Sequence, residues 1–163
     1  MAFTASNMNA AALLIQMNSA TFYTGNAGTS WAADSILCAL YGNTGTPNKN
    51  DTLANNVYNV SQWVSGTSGT NEVYQAGQWA QGGIALGTKT ATQPAGFVQF
   101  GAATVTSGSA ATLAAVYGCF IYDNTLTTKY GYCWNYFGGS QSVTAGTFSV
   151  VWGANGIMQV TIN

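Results

Sequence analysis

Histidine and arginine are both missing from this 163-residue chain, and charge of either sign is scarce: three lysines, four acids and a net charge of −1. Charged residues make up 4% of the sequence, where soluble proteins average about 25%. Without histidine there is no Ser-His-Asp or Cys-His arrangement and no imidazole ligand for a transition metal. Three lysines are too few for the electrostatic footprint of a nucleic-acid binder, so the charge balance argues against DNA and RNA. No run approaches the 18 or more apolar residues of a membrane span, and Met1-Ala2-Phe3-Thr4 lacks the basic start of a signal peptide. The expectation is a chain made in the cytoplasm and left unprocessed, with no membrane partner.

Acids are equally few. Asp34, Asp51, Glu72 and Asp123 are the whole set, and none neighbours another in sequence. Carboxylate-pair hydrolysis would need two of them brought together by the fold, at a separation of roughly 5–10 Å. Turn or cap roles are the expectation, since Asp favours turns. Gly82-Gly83 lacks the spacing and the following Lys-Ser/Thr of a phosphate loop. No cofactor or metal is expected. The cysteines, Cys38, Cys119 and Cys133, are odd in number and each sits in an apolar context, which points to free, buried thiols.

What the chain has in abundance is hydrophobic residues, 47%, with 13% aromatics and twenty glycines. A core is therefore affordable, and solubility falls to Asn, Gln, Ser, Thr and Gly. The longest apolar stretch is Leu113–Tyr122, LAAVYGCFIY, non-polar on both faces at the two-residue period of a strand and bounded by turn residues. It reads as the central strand. Asp123–Thr128 is turn-prone and leads into a partner strand, Tyr130–Phe137, whose Tyr130, Tyr132, Trp134 and Tyr136 form one aromatic stripe. A hairpin turning about Leu126 would set Cys119 opposite Cys133, close enough for a disulfide under oxidant.

Ser35–Tyr41 is a second strand apolar on both faces. Val73–Leu86, interrupted by Gly77 and Gly82-Gly83, reads as a strand, a bulge and a resumed strand. Thr88–Thr92 and Gly96–Phe100 form a hairpin, and Gly146–Trp152 with Ile157–Ile162 form another about Asn155-Gly156. Gly42–Asn71 is irregular and long enough to be functional or to wrap something. At the start, Ser6 could cap a helix over Asn7–Asn18 with Ala10, Leu13, Leu14 and Met17 on one face. The expected fold is all-β, an antiparallel sandwich or barrel-like domain of about 8–10 short strands with one N-terminal helix. Residues 1–30 would be a helix and linker arm, and 31–163 the β domain.

Ala33-Asp34-Ser35-Ile36-Leu37-Cys38-Ala39-Leu40-Tyr41, then Asn71-Glu72-Val73 with Gly82-Gly83-Ile84-Ala85-Leu86, then Tyr117–Asp123, and finally Gly146-Thr147-Phe148-Ser149-Val150-Val151-Trp152 before Gly156-Ile157 occur in that order. As an ordered set they resemble a family of small β-rich virion proteins of tailed bacteriophages. The pattern departs from that family where Leu37-Cys38 replaces a lysine and where Tyr74-Gln75-Ala76 replaces a Ser-Gly-Thr turn. The resemblance implies no catalytic residues. It implies a structural role in the virion: a capsid decoration, or cement, protein that binds the major capsid protein and itself, a trimer being the expected homo-oligomer. A sparsely charged surface suits that role because apolar burial is not screened by salt. Leu13, Leu14, Met17, Phe22 and Tyr23 are the candidate subunit interface. Tyr58, Trp63, Tyr74 and Trp79 are the candidate exposed aromatic contacts; in a tail-associated or host-receptor protein they would stack on glycans, and otherwise they pack in the core.

Overall fold

The computed structural model describes residues 5–8, 31–65, 72–93 and 96–161, of which 49% are strand and 5% helical. The main sheet is antiparallel and curls into a half-barrel. Its strands are β1 (Asn7–Met8), β2 (Ile36–Tyr41), β3 (Glu72–Val73), β4 (Ile84–Ala85), and the two long ones that follow a three-strand interlude. That interlude is β5 (Thr90–Thr92), β6 (Phe97–Gly101) and β7 (Val105–Thr106); the long strands are β8 (Ala111–Asp123) and β9 (Gly131–Gly146). The chain closes with β10 (Ser149–Val150) and β11 (Met158–Thr161).

β8 lies in the middle, in the order β1-β9-β8-β2-β3, with β4 also on β2. Its apolar run explains the position over residues 118–123, which are covered on both faces, whereas Ala114 and Ala115 nearer the start of the strand are exposed. One face of the sheet sends Ile36, Cys38, Leu40, Cys119, Ile121 and Cys133 into the larger core. β11-β6-β5 and β10-β7 cover that face, contributing Met158, Val105 and Val150. The other face sends Ala39, Tyr41, Phe120, Tyr122 and Trp134 into a smaller aromatic core roofed by Tyr58 and Trp63. The irregular stretch after Gly42 supplies that roof through two 3₁₀ turns, Leu53–Asn55 and Ser61–Trp63. What it wraps is the sheet itself.

The interrupted strand 73–86 returns to the edge it left. β3 pairs with Leu40 and Tyr41, β4 with Leu37 and Cys38, and Trp79 tucks beneath from the loop between them. Gly83 makes the return possible: at φ +96 a Cβ would lie 2.1 Å from the Cys38 carbonyl oxygen.

Four expectations are corrected. Asn7–Met8 is not the first turn of a helix but an edge strand opposite Trp134 and Cys133. Ser6 caps nothing there; its Oγ accepts the Tyr136 N–H. Residues 5–8 therefore belong to the sheet rather than to an arm, and the rest of the expected helix lies outside the described residues. Cys119 faces Asn135, not Cys133, which faces Ile121. A register shift between Ile121 and Tyr122 moves the pairing and also splits the aromatic stripe, sending Tyr132 to the larger core and Trp134 to the smaller. Finally, Asn155-Gly156 does turn the chain, with Gly156 at φ +72, but the strands it joins pair elsewhere, β10 with β7 and β11 with β6.

Candidate functional site

The candidate interface residues Leu13, Leu14, Met17, Phe22 and Tyr23 lie outside the described residues. Of the candidate aromatic contacts, Tyr58, Trp63 and Trp79 are buried and Tyr74 is half-buried. The expectation of exposure fails for three of the four because each ring has found a partner in the core. Trp63 stacks on Phe120 at 4.0 Å between centroids, and Tyr58 stacks on Tyr122 at 4.5 Å. Trp79 donates its indole N–H to the Cys38 carbonyl and meets Phe148 edge-on. A ring enclosed in this way has no face left for a sugar.

The small core holds a carboxylate that nothing in the sequence marked. Glu72 is fully buried, accepting the Gly82 N–H on Oε1 (2.6 Å) and the Tyr58 O–H on Oε2 (2.9 Å). Tyr122 donates to the Gly82 carbonyl, closing the ring of contacts around one turn. Burial pushes the Glu72 carboxyl above its ordinary range, and the two hydrogen bonds only partly oppose this. Desolvation likewise drives the Tyr58 and Tyr122 phenols upward. Lys129 sits over the outer face of Tyr58, 5.4 Å from its centroid. The arrangement is a clamp: it ties β3, the Gly82 turn and the roof to β8.

The fold also supplies the one carboxyl pair that sequence spacing could not. Asp34, at the entrance to β2, lies within hydrogen-bonding reach of Asp123 at the end of β8. Asp123 is fully buried, accepts the Thr125 N–H at 2.8 Å, and is held above its ordinary range first by desolvation and also by Asp34. Two carboxyls in mutual contact leave no room for a glycosidic bond between them, so the pair does not have the spacing of a carboxylate-pair glycosidase. Its neighbours Ser35 N–H to Thr125 Oγ1 and Asn124 N–H to the Ser35 carbonyl show a structural joint between the β8–β9 turn and β2.

The three cysteines are free and buried in the larger core. Burial raises the Cys38 and Cys133 thiols, away from the reactive thiolate.

What the described surface offers a partner is an open strand edge beside a groove. β1 pairs with β9 only at Cys133 and Trp134; from Phe137 to Gly146 no described strand pairs with the outer side of β9. The adjoining groove, about 400 Å³, is lined by Tyr136, Phe137, Gln141, Phe148, Val150 and Val151. Val151, 72% exposed, is the most exposed large hydrophobic residue among those described. The Gly138-Gly139 pair and the polar residues after it concealed this half of β9, whereas the half-buried Tyr136 belonged to a stripe that the alternation did pick out. No helix among the described residues is long and apolar enough to cross a membrane. No family model, no curated protein and no solved structure matches the chain.

Proposed function

We propose that this protein is a non-enzymatic structural protein of a bacteriophage virion, a decoration protein that binds the major capsid protein and itself. The sequence resemblance supplies the biological setting. The observation that carries the reading is the stretch of β9 from Phe137 to Gly146 whose outer edge no described strand pairs, flanked by the groove at Tyr136, Phe137 and Val151, on a chain with almost no charge. An unpaired edge recruits a partner through main-chain hydrogen bonds, and an adjacent groove supplies selectivity for side chains; neither needs ion pairs. Burial of Tyr58, Trp63 and Trp79, which leaves only the half-buried Tyr74 of the four aromatics for stacking, favours this reading over a glycan-binding tail protein. The finer architecture that goes with this role is a sandwich-like body with the β9 edge and its groove turned to the capsid. Self-association, as a trimer, would place Leu13, Leu14 and Met17 between subunits.

Co-sedimentation with isolated heads and with isolated tails tests the reading. Binding to heads, changing by less than about tenfold between low and high salt, is the expected result. Val151→Lys, which adds charge at the groove without touching the core, should weaken it. Binding to tails alone, or a steep salt dependence, would refute the assignment.

A further inference from the structure

Away from the β9 edge, three stretches of the irregular roof converge on a second cleft, of about 350 Å³. Its lining side chains carry oxygen throughout: the hydroxyls of Thr44, Thr46 and Ser61, the amides of Asn48 and Gln62, and the carboxyl of Asp51. No lysine lines it, and neighbouring Lys49 is exposed. The donors are held in place by short-range bonds. Asn48 accepts the Asn50 N–H on Oδ1 at 2.9 Å and the Asp51 N–H on its carbonyl at 3.0 Å, a turn that presents the Asp51 side chain to the cleft. Gln62 donates Nε2 to Asp51 Oδ2. That contact fixes the Gln62 amide, and its Oε1 is left buried with no donor.

A buried acceptor without a donor is destabilising, and the half-buried Asp51 carboxyl beside it is desolvated enough to be raised above its ordinary range. Both deficits are of one sign, and a positive ion would meet both. An oxygen-only donor set selects against soft and imidazole-loving metals and fits a hard cation. We propose that this cleft binds a calcium-type divalent cation, with Asp51 and Gln62 Oε1 as anchoring ligands and the Asn48 and hydroxyl oxygens, with water, completing the shell. Calcium accepts six to eight oxygens at about 2.3–2.6 Å, and a site with one carboxylate belongs at its weak end, near millimolar. Bound there, the ion would join the Thr44–Asp51 loop to the 3₁₀ turn that carries Trp63, and so hold down the roof of the smaller core. This inference is independent of the capsid role.

The test is a melting-temperature titration of the full chain, freed of metal, with calcium chloride against sodium chloride at matched ionic strength. The melting temperature should climb with calcium through the millimolar range and remain flat in the sodium control. Asp51→Asn, which keeps a hydrogen-bonding partner for Gln62, should abolish the rise; Asp34→Asn, in the distant pair with Asp123, should leave it intact. Gln62→Leu should weaken the response and serves as the check should Asp51→Asn not fold. A wild-type chain indifferent to calcium, or a calcium response that survives both Asp51→Asn and Gln62→Leu, would overturn the proposal.

Discussion

Glu72 makes the stability of this protein run against the usual direction of pH. Its burial raises the folded-state carboxyl above the ordinary value of 4.5, so the folded chain holds a proton over a range in which the unfolded chain has released it. Stability from this group is fully present below the unfolded value and is lost as pH rises through the folded one. Within that window one proton is worth about 1.4 kcal/mol per pH unit. Asp123 and Asp51 are shifted in the same direction by burial, and no histidine titrates against them. The protein should therefore be most stable in mild acid. Glu72→Gln isolates the effect: the amide oxygen can take the Gly82 N–H and the amide nitrogen can donate to the Tyr58 oxygen, so both contacts survive while the titration disappears. Glu72→Ala removes both acceptors and strands two buried donors at about 1–3 kcal/mol each, a loss of about 2–6 kcal/mol relative to Gln. Urea unfolding followed by tryptophan fluorescence from pH 4 to pH 8 reads all three proteins. Glu72→Gln should flatten the pH slope by one group and equal or exceed wild type at pH 8. If Glu72→Gln is as damaging as Glu72→Ala, or keeps the wild-type slope, the reasoning about this clamp is wrong.

Trp63→Ala should cost about 3–5 kcal/mol, because it opens a cavity over Phe120 and Trp134 at the centre of the smaller core; equilibrium denaturation measures it. Gly83→Ala should be among the most damaging small substitutions, combining a positive φ with a collision against the Cys38 carbonyl, and thermal melting with circular dichroism would show it; a loss under about 1 kcal/mol would mean that the β4 return is looser than described. Cys119→Ala should lower stability by about 0.5–3 kcal/mol and leave the proposed binding to heads in place, since the thiol is packing and not chemistry; lost binding at unchanged stability in a pull-down with heads would contradict that.

Much of this architecture was legible in the sequence where a single strand carries its own signal. Leu113–Tyr122 and Ile36–Tyr41 are apolar on both faces, and such strands have only the middle of a sheet to go to. Scarcity of charge and absence of histidine were likewise fixed facts that limited the chemistry available. The local turn at Asn155-Gly156 and the break at Gly82-Gly83 were visible because positive φ and close approach demand glycine. Pairing across the chain was not visible. Whether β10 meets β7 or β11, and whether Cys119 faces Cys133 or Asn135, depends on bulges that shift register by a residue or two and leave the composition of each strand unchanged. Nor could composition tell an aromatic that contacts a partner from one that roofs its own sheet; Tyr58 and Trp63 are committed to the core only by the path of the chain between Gly42 and Ser65. The same holds for the acids. Asp123 meets Asp34 from 89 positions away and Glu72 sits in a short, unremarkable strand, and it is tertiary burial, the removal of water from around a carboxyl with no cation to replace it, that turns Asp123 and Glu72 into residues governing stability.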